Sequence, residues 1–91
     1  MIARRLEIHG RVQGVFYRDW TVKSARELGL AGWVRNRLDG TVEAVVQGEA
    51  DAVERMIALA QNGPPAANVD RIDVAETTVG AITGFEKRST R

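Results

Sequence analysis

Ala31-Gly32-Trp33-Val34-Arg35-Asn36-Arg37-Leu38-Asp39-Gly40-Thr41-Val42-Glu43-Ala44-Val45-Val46-Gln47 decides the fold. Residues 31–38 and 41–47 read as strands, and Asp39-Gly40 between them is a strong two-residue hairpin signal. A turn that short forces the two strands to pair antiparallel. In the returning strand Val42, Ala44 and Val46 fall on one face, because side chains alternate along a strand. Gly48 closes it.

Helical patterns lie on both sides of this hairpin. Upstream, from about Asp19, Thr21, Val22, Ala25 and Leu28 recur at helical spacing, with Lys23, Arg26 and Glu27 on the other side. Gly29 ends that helix, since glycine takes the left-handed cap conformation without steric cost. Before the helix, residues 3–9 alternate: Leu6 and Ile8 are apolar, Arg5, Glu7 and His9 polar, which predicts a strand with one buried face. Downstream, Val53, Met56, Ile57 and Ala60 form the stripe of a second helix over Ala50–Gln61. Glu49, Asp51 and Glu54 crowd its start, where negative charge suits the helix dipole. Asn62-Gly63 ends it and Pro64-Pro65 prevents continuation. A fourth strand is predicted over Val69–Thr77, with Ile72 and Val74 facing inward. Residues 78–83 read as a loop, Phe85 as the anchor of a last short strand, and Ser89–Arg91 as a fraying end. The order strand, helix, strand, strand, helix, strand is a split βαβ unit repeated. It predicts a ferredoxin-like α+β sandwich, an antiparallel sheet with two helices packed on one face.

The totals narrow the functions open to such a fold. A chain of 91 residues with 44% hydrophobic content predicts one globular domain over 1–91, and a monomer is the default. Thirteen basic against 12 acidic residues leave a formal charge of +1, which argues against nucleic-acid or membrane partners. The aromatic residues make no RNA-binding array. There is no cysteine, hence no disulfide framework, thiolate nucleophile or cysteine-bound metal. His9 is the single histidine and reads as a sheet-face residue. The acidic residues lack calcium-loop spacing, and Ser24 has no evident base beside it. The N-terminus carries no long apolar run, so a cytoplasmic protein is expected, without metal or cofactor.

What remains is the join between the first strand and the first helix, Gly10-Arg11-Val12-Gln13-Gly14-Val15-Phe16-Tyr17-Arg18. A glycine-bearing turn can aim the backbone N–H groups of Gln13, Gly14, Val15, Phe16 and Tyr17 at one tetrahedral anion, and the helix N-terminus adds its partial positive charge. Arg18 would fork onto two anion oxygens. The residues alone favour an ordinary turn with a surface arginine, because short glycine turns are common. Gly14 without a following lysine departs from the nucleotide P-loop pattern. Asn36 has an amide able to orient a water, or it simply breaks the second strand near its turn.

Residues 10–18 resemble the signature loop of the acylphosphatase family. Gly32-Trp33-Val34-Arg35-Asn36, followed by Gly40-Thr41-Val42 and Gly48, resembles that family's second signature. The likeness covers nearly the whole chain. It departs at Tyr17, where the family usually carries phenylalanine or methionine. The resemblance implies hydrolysis of the carboxyl-phosphate bond of a small acyl phosphate, without metal or covalent intermediate. By that likeness Arg18 and the loop amides hold the phosphoryl group, Asn36 positions the attacking water, and inorganic phosphate or sulfate competes. A non-catalytic phosphate-binding or regulatory module on the same fold is the alternative.

Overall fold

A computed structural model describes residues 1–91. In chain order it holds β1 (Ile2–Arg11), α1 (Tyr17–Glu27), β2 (Ala31–Asn36), β3 (Val42–Gly48), α2 (Ala50–Ala60), β4 (Asn68–Glu76) and β5 (Phe85–Lys87). The sheet order is β4-β1-β3-β2-β5. The first four strands pair antiparallel, as expected, but β5 runs parallel to β2 on its free edge. The sheet is therefore mixed. The chain from 77 to 84 crosses from one edge of the sheet to the other, which a tight hairpin cannot do.

Both helices cover one face. Leu6, Ile8, Val34, Val42, Ala44 and Val46 point into the core from the strands and meet Tyr17 and Ala25 of α1 and Val53 and Met56 of α2. Every one of these is at most 2% exposed, so the alternating and helical stripes bury as their periods dictate. Val74 is the exception. It pairs opposite Leu6 but is 46% exposed, because β4 is an edge strand that the helices do not reach. No helix is long and apolar enough to cross a membrane.

The other face is not bare. Glu43 is buried there, its carboxylate accepting from Arg5 Nε (2.6 Å), Arg35 Nε (2.7 Å) and Arg37 Nη1 (3.1 Å). Gln47, also buried, exchanges two 2.8 Å hydrogen bonds with the backbone of Gly80. Those bonds lay the segment 78–83 over the sheet. Trp33 lies with the guanidinium carbons of Arg35 and Arg88 each 4.9 Å from its ring centroid.

Three local expectations change. The β2–β3 connection is a three-residue loop rather than a two-residue turn. Arg37 N–H donates to Thr41 C=O (2.8 Å) and Gly40 N–H to Arg37 C=O (3.1 Å), with Gly40 at φ 94° closing the loop. Strand 2 is correspondingly shorter than the sequence suggests, and strand 3 keeps its length but lies one residue later. Gly10 belongs to β1, which extends to Arg11 through a bulge between His9 and Gly10. Its φ of 123° and the neighbouring Asn68 carbonyl leave no room for a side chain. The C-terminal residues are paired, not frayed: Arg88 N–H donates to Val34 C=O, Arg91 N–H to Asn36 C=O, and Leu38 N–H to Arg91 C=O.

Candidate active site

The loop from Val12 to Phe16 joins β1 to α1. Val12 and Val15 are buried in the core and pin it at two points. The Gln13 side chain pins a third: its amide nitrogen donates to the carbonyls of Arg37 (2.8 Å) and Thr41 (2.9 Å) in the hairpin loop. Gly14, at φ 74°, is exposed with open space above it. Phe16, at φ 65°, holds the N-cap position of α1. Its carbonyl accepts the first helical bond, from Trp20 N–H at 3.0 Å.

An apolar N-cap side chain cannot satisfy the first N–H groups of a helix, and α1 has no side-chain cap bond. The backbone N–H groups from Gln13 through Asp19 donate to no backbone carbonyl. A run of unpaired donors at a helix start is chemically suited to receive an anion.

The space beside these donors is a cleft of about 270 Å³. Val12, Gly14, Phe16 and Tyr17 line it from the loop side, Arg18 and Asp19 from the first turn of α1, and Asn36 from the end of β2. The two side chains singled out in the sequence therefore meet at one place. Gln13 and Val15 do not line the cleft; the side chain of one is turned to the hairpin and that of the other into the core. What each can offer an anion is its backbone N–H. Asp19, missed in the sequence, is the one carboxylate in the lining. Lys87 of β5 donates to it at 2.8 Å. That hydrogen bond, and then the lysine charge, hold the Asp19 carboxyl below the usual carboxylate range. Its negative charge is thereby compensated beside Arg18, and the cleft keeps a positive character. Nothing in the sequence joins positions 19 and 87; only the placing of β5 beside β2 does so.

Groups able to hold a metal ion lie elsewhere. Glu7, His9 and Asp73 converge on the opposite face of the sheet, with His9 Nε2 3.0 Å from a carboxylate oxygen of each. Glu49, Asp51 and Glu54 stay exposed at the start of α2.

Comparison with known proteins agrees with this architecture. The acylphosphatase family model matches residues 4–87. An acylphosphatase of Rhizorhabdus wittichii is 56% identical over 98% of this chain and 90% of its own length. The crystal structure of acylphosphatase from Bacillus subtilis superposes with a TM-score of 0.94 at 35% identity, over 97% of this chain and 99% of that one. An acylphosphatase from Coxiella burnetii gives 0.92 at 37% identity, over 96% and 92%. With the sheet order, the unpaired amide run and the second signature all held on one scaffold, the chain belongs to the acylphosphatase family.

Proposed function

We propose that this protein hydrolyses acyl phosphates at the cleft between the 12–16 loop, α1 and β2. The observation that carries the reading is the run of unpaired N–H groups from Gln13 to Asp19 in a cleft that also holds Arg18 and Asn36. The amides and the Arg18 guanidinium take the phosphoryl oxygens. They are in place before the reaction, so they stabilise the charge that spreads over those oxygens in the transition state without having to reorganise.

Water attacks phosphorus as the bond to the acyl oxygen breaks. The products are a carboxylate and inorganic phosphate. A carboxylate is a stable anion near neutral pH, so the leaving group needs no proton. Asn36 Oδ1 accepts a hydrogen bond from the attacking water and orients it, and the proton leaves to a phosphate oxygen of the substrate. Inorganic phosphate and sulfate occupy the same donors and compete. This chemistry calls for no histidine, cysteine or metal.

Steady-state hydrolysis of benzoyl phosphate in the presence of a chelator tests it. Arg18→Ala is expected to lower kcat/KM by about 10³-fold and to weaken competition by inorganic phosphate. Asn36→Ala is expected to lower kcat by about 10²-fold while phosphate competition persists, because the water is not part of the anion cradle. Wild-type protein that binds phosphate without turnover is a regulatory module instead, and rate loss on chelation overturns the metal-free route.

A further inference from the structure

We infer that Phe16 is the platform for the acyl half of the substrate, and that it selects acyl phosphates with apolar, above all aromatic, acyl groups. The inference rests on the phosphoryl cradle argued above.

Phe16 is the single non-glycine residue with positive φ. The left-handed region is strained for a bulky side chain such as phenylalanine. Its side chain is also 78% exposed, so the ring contributes little to the core. The loop's other apolar side chains, Val12 and Val15, and the adjoining Tyr17 are all buried. A glycine at position 16 would relieve the strain and remove an exposed apolar ring. Two costs to stability thus coincide at one residue, and that residue lines the cleft.

Size and position say what the ring serves. A water occupies about 30 Å³ in the liquid. A cleft of about 270 Å³ is larger than the three oxygens of a phosphoryl group require. The remainder is room for the group bonded to the phosphate. Phe16 sits within the amide run itself, so its Cβ starts beside the position of the phosphoryl oxygens. An acyl group leaving that position passes next to the ring. In-line displacement sends it away from the water that Asn36 orients. A flat apolar ring offers it area and stacking, favouring an aromatic acyl group over an acetyl group by about tenfold.

The test measures kcat/KM for benzoyl phosphate and acetyl phosphate in wild type, Phe16→Asn and Phe16→Leu. Asparagine is chosen because it tolerates the left-handed conformation and keeps the backbone donors in place. The benzoyl-to-acetyl ratio is expected to fall about tenfold in Phe16→Asn, chiefly through KM for benzoyl phosphate, and less in Phe16→Leu. An unchanged ratio in both variants, with both substrates still turned over, overturns the inference alone. That outcome would assign the exposed ring to another task, such as docking a protein partner. Wild-type protein that turns over neither substrate overturns the hydrolase reading, and this inference with it.

Discussion

Tyr17 differs by one oxygen from the phenylalanine usual in its family, and that oxygen has a partner. The ring is 2% exposed and packs 5.4 Å from Trp20, centroid to centroid. Its hydroxyl donates to the carbonyl of Ala60 at 2.7 Å. Ala60 is the last residue of α2, where carbonyls lack helical partners. Tyr17 thus ties the start of α1, and with it the 12–16 loop, to the end of α2. Removing the hydroxyl leaves a buried carbonyl unsatisfied. Tyr17→Phe is therefore expected to lose about 1–2 kcal/mol of stability, read as a lower urea midpoint at constant m. Burial also pushes the phenol well above its ordinary value of 10.0. A raised value keeps the neutral form in the fold, so its contribution is complete below pH 10 and is lost as pH rises through the folded value. Wild type is expected to lose stability above pH 10 more steeply than Tyr17→Phe.

Among the elements, the three central strands are joined on their outer face by one buried carboxylate. Glu43 of β3 holds Arg5 of β1, Arg35 of β2 and Arg37 just beyond β2. Burial opposes its ionisation, but the three arginine hydrogen bonds outweigh burial and depress its pKa. A depressed carboxylate stabilises the fold above its unfolded value, about 4.5, and loses that contribution as pH falls through the folded one. Stability is expected to hold from pH 7 to about 5 and then to fall. Glu43→Gln is expected to flatten that acid limb. It should also cost about 2 kcal/mol at pH 7, less than a fully buried pair would, because the arginines are part-exposed. Urea unfolding of both proteins from pH 3 to 7 measures this. The network also bears on the site, since Arg35 and Arg37 flank Asn36. In the sequence Glu43 is only a polar residue on an alternating strand. Its burial follows from the register Arg5↔Val45 and Arg35↔Glu43, which no local pattern contains.

At the scale of the molecule, the cleft depends on segments distant in the chain. The tail pairs along β2, with Arg91 donating to the carbonyl of Asn36 and accepting from Leu38. Gln13 ties the 12–16 loop to the same hairpin from the other side. Asn36 is thus held between residues 13 and 91. Removing residues 89–91 frees one side of it. That variant is expected to lose kcat by about tenfold, with a smaller change in the inhibition constant of inorganic phosphate, because the loop donors stay in place. Equal losses in both would place the tail's effect on the whole cleft rather than on Asn36.

Whatever depends on neighbours a few residues away was legible before any folding. Alternation placed Leu6, Ile8, Val42, Ala44 and Val46 on a buried face, and the helical stripes of α1 and α2 met them. These patterns are legible because the period of an element and the need to bury one side of it are local facts. The two signatures named the family for the same reason, being contiguous runs. Features that depend on register and edge emerge with the assembled sheet: β5 parallel to β2, the exposure of Val74, the paired tail, buried Glu43, and Lys87 beside Asp19. It also brought Asn36 into the cleft with Arg18. Such contacts arise when strands far apart in the chain choose their partners. That choice is made by the burial of the whole sheet rather than by any stretch of it.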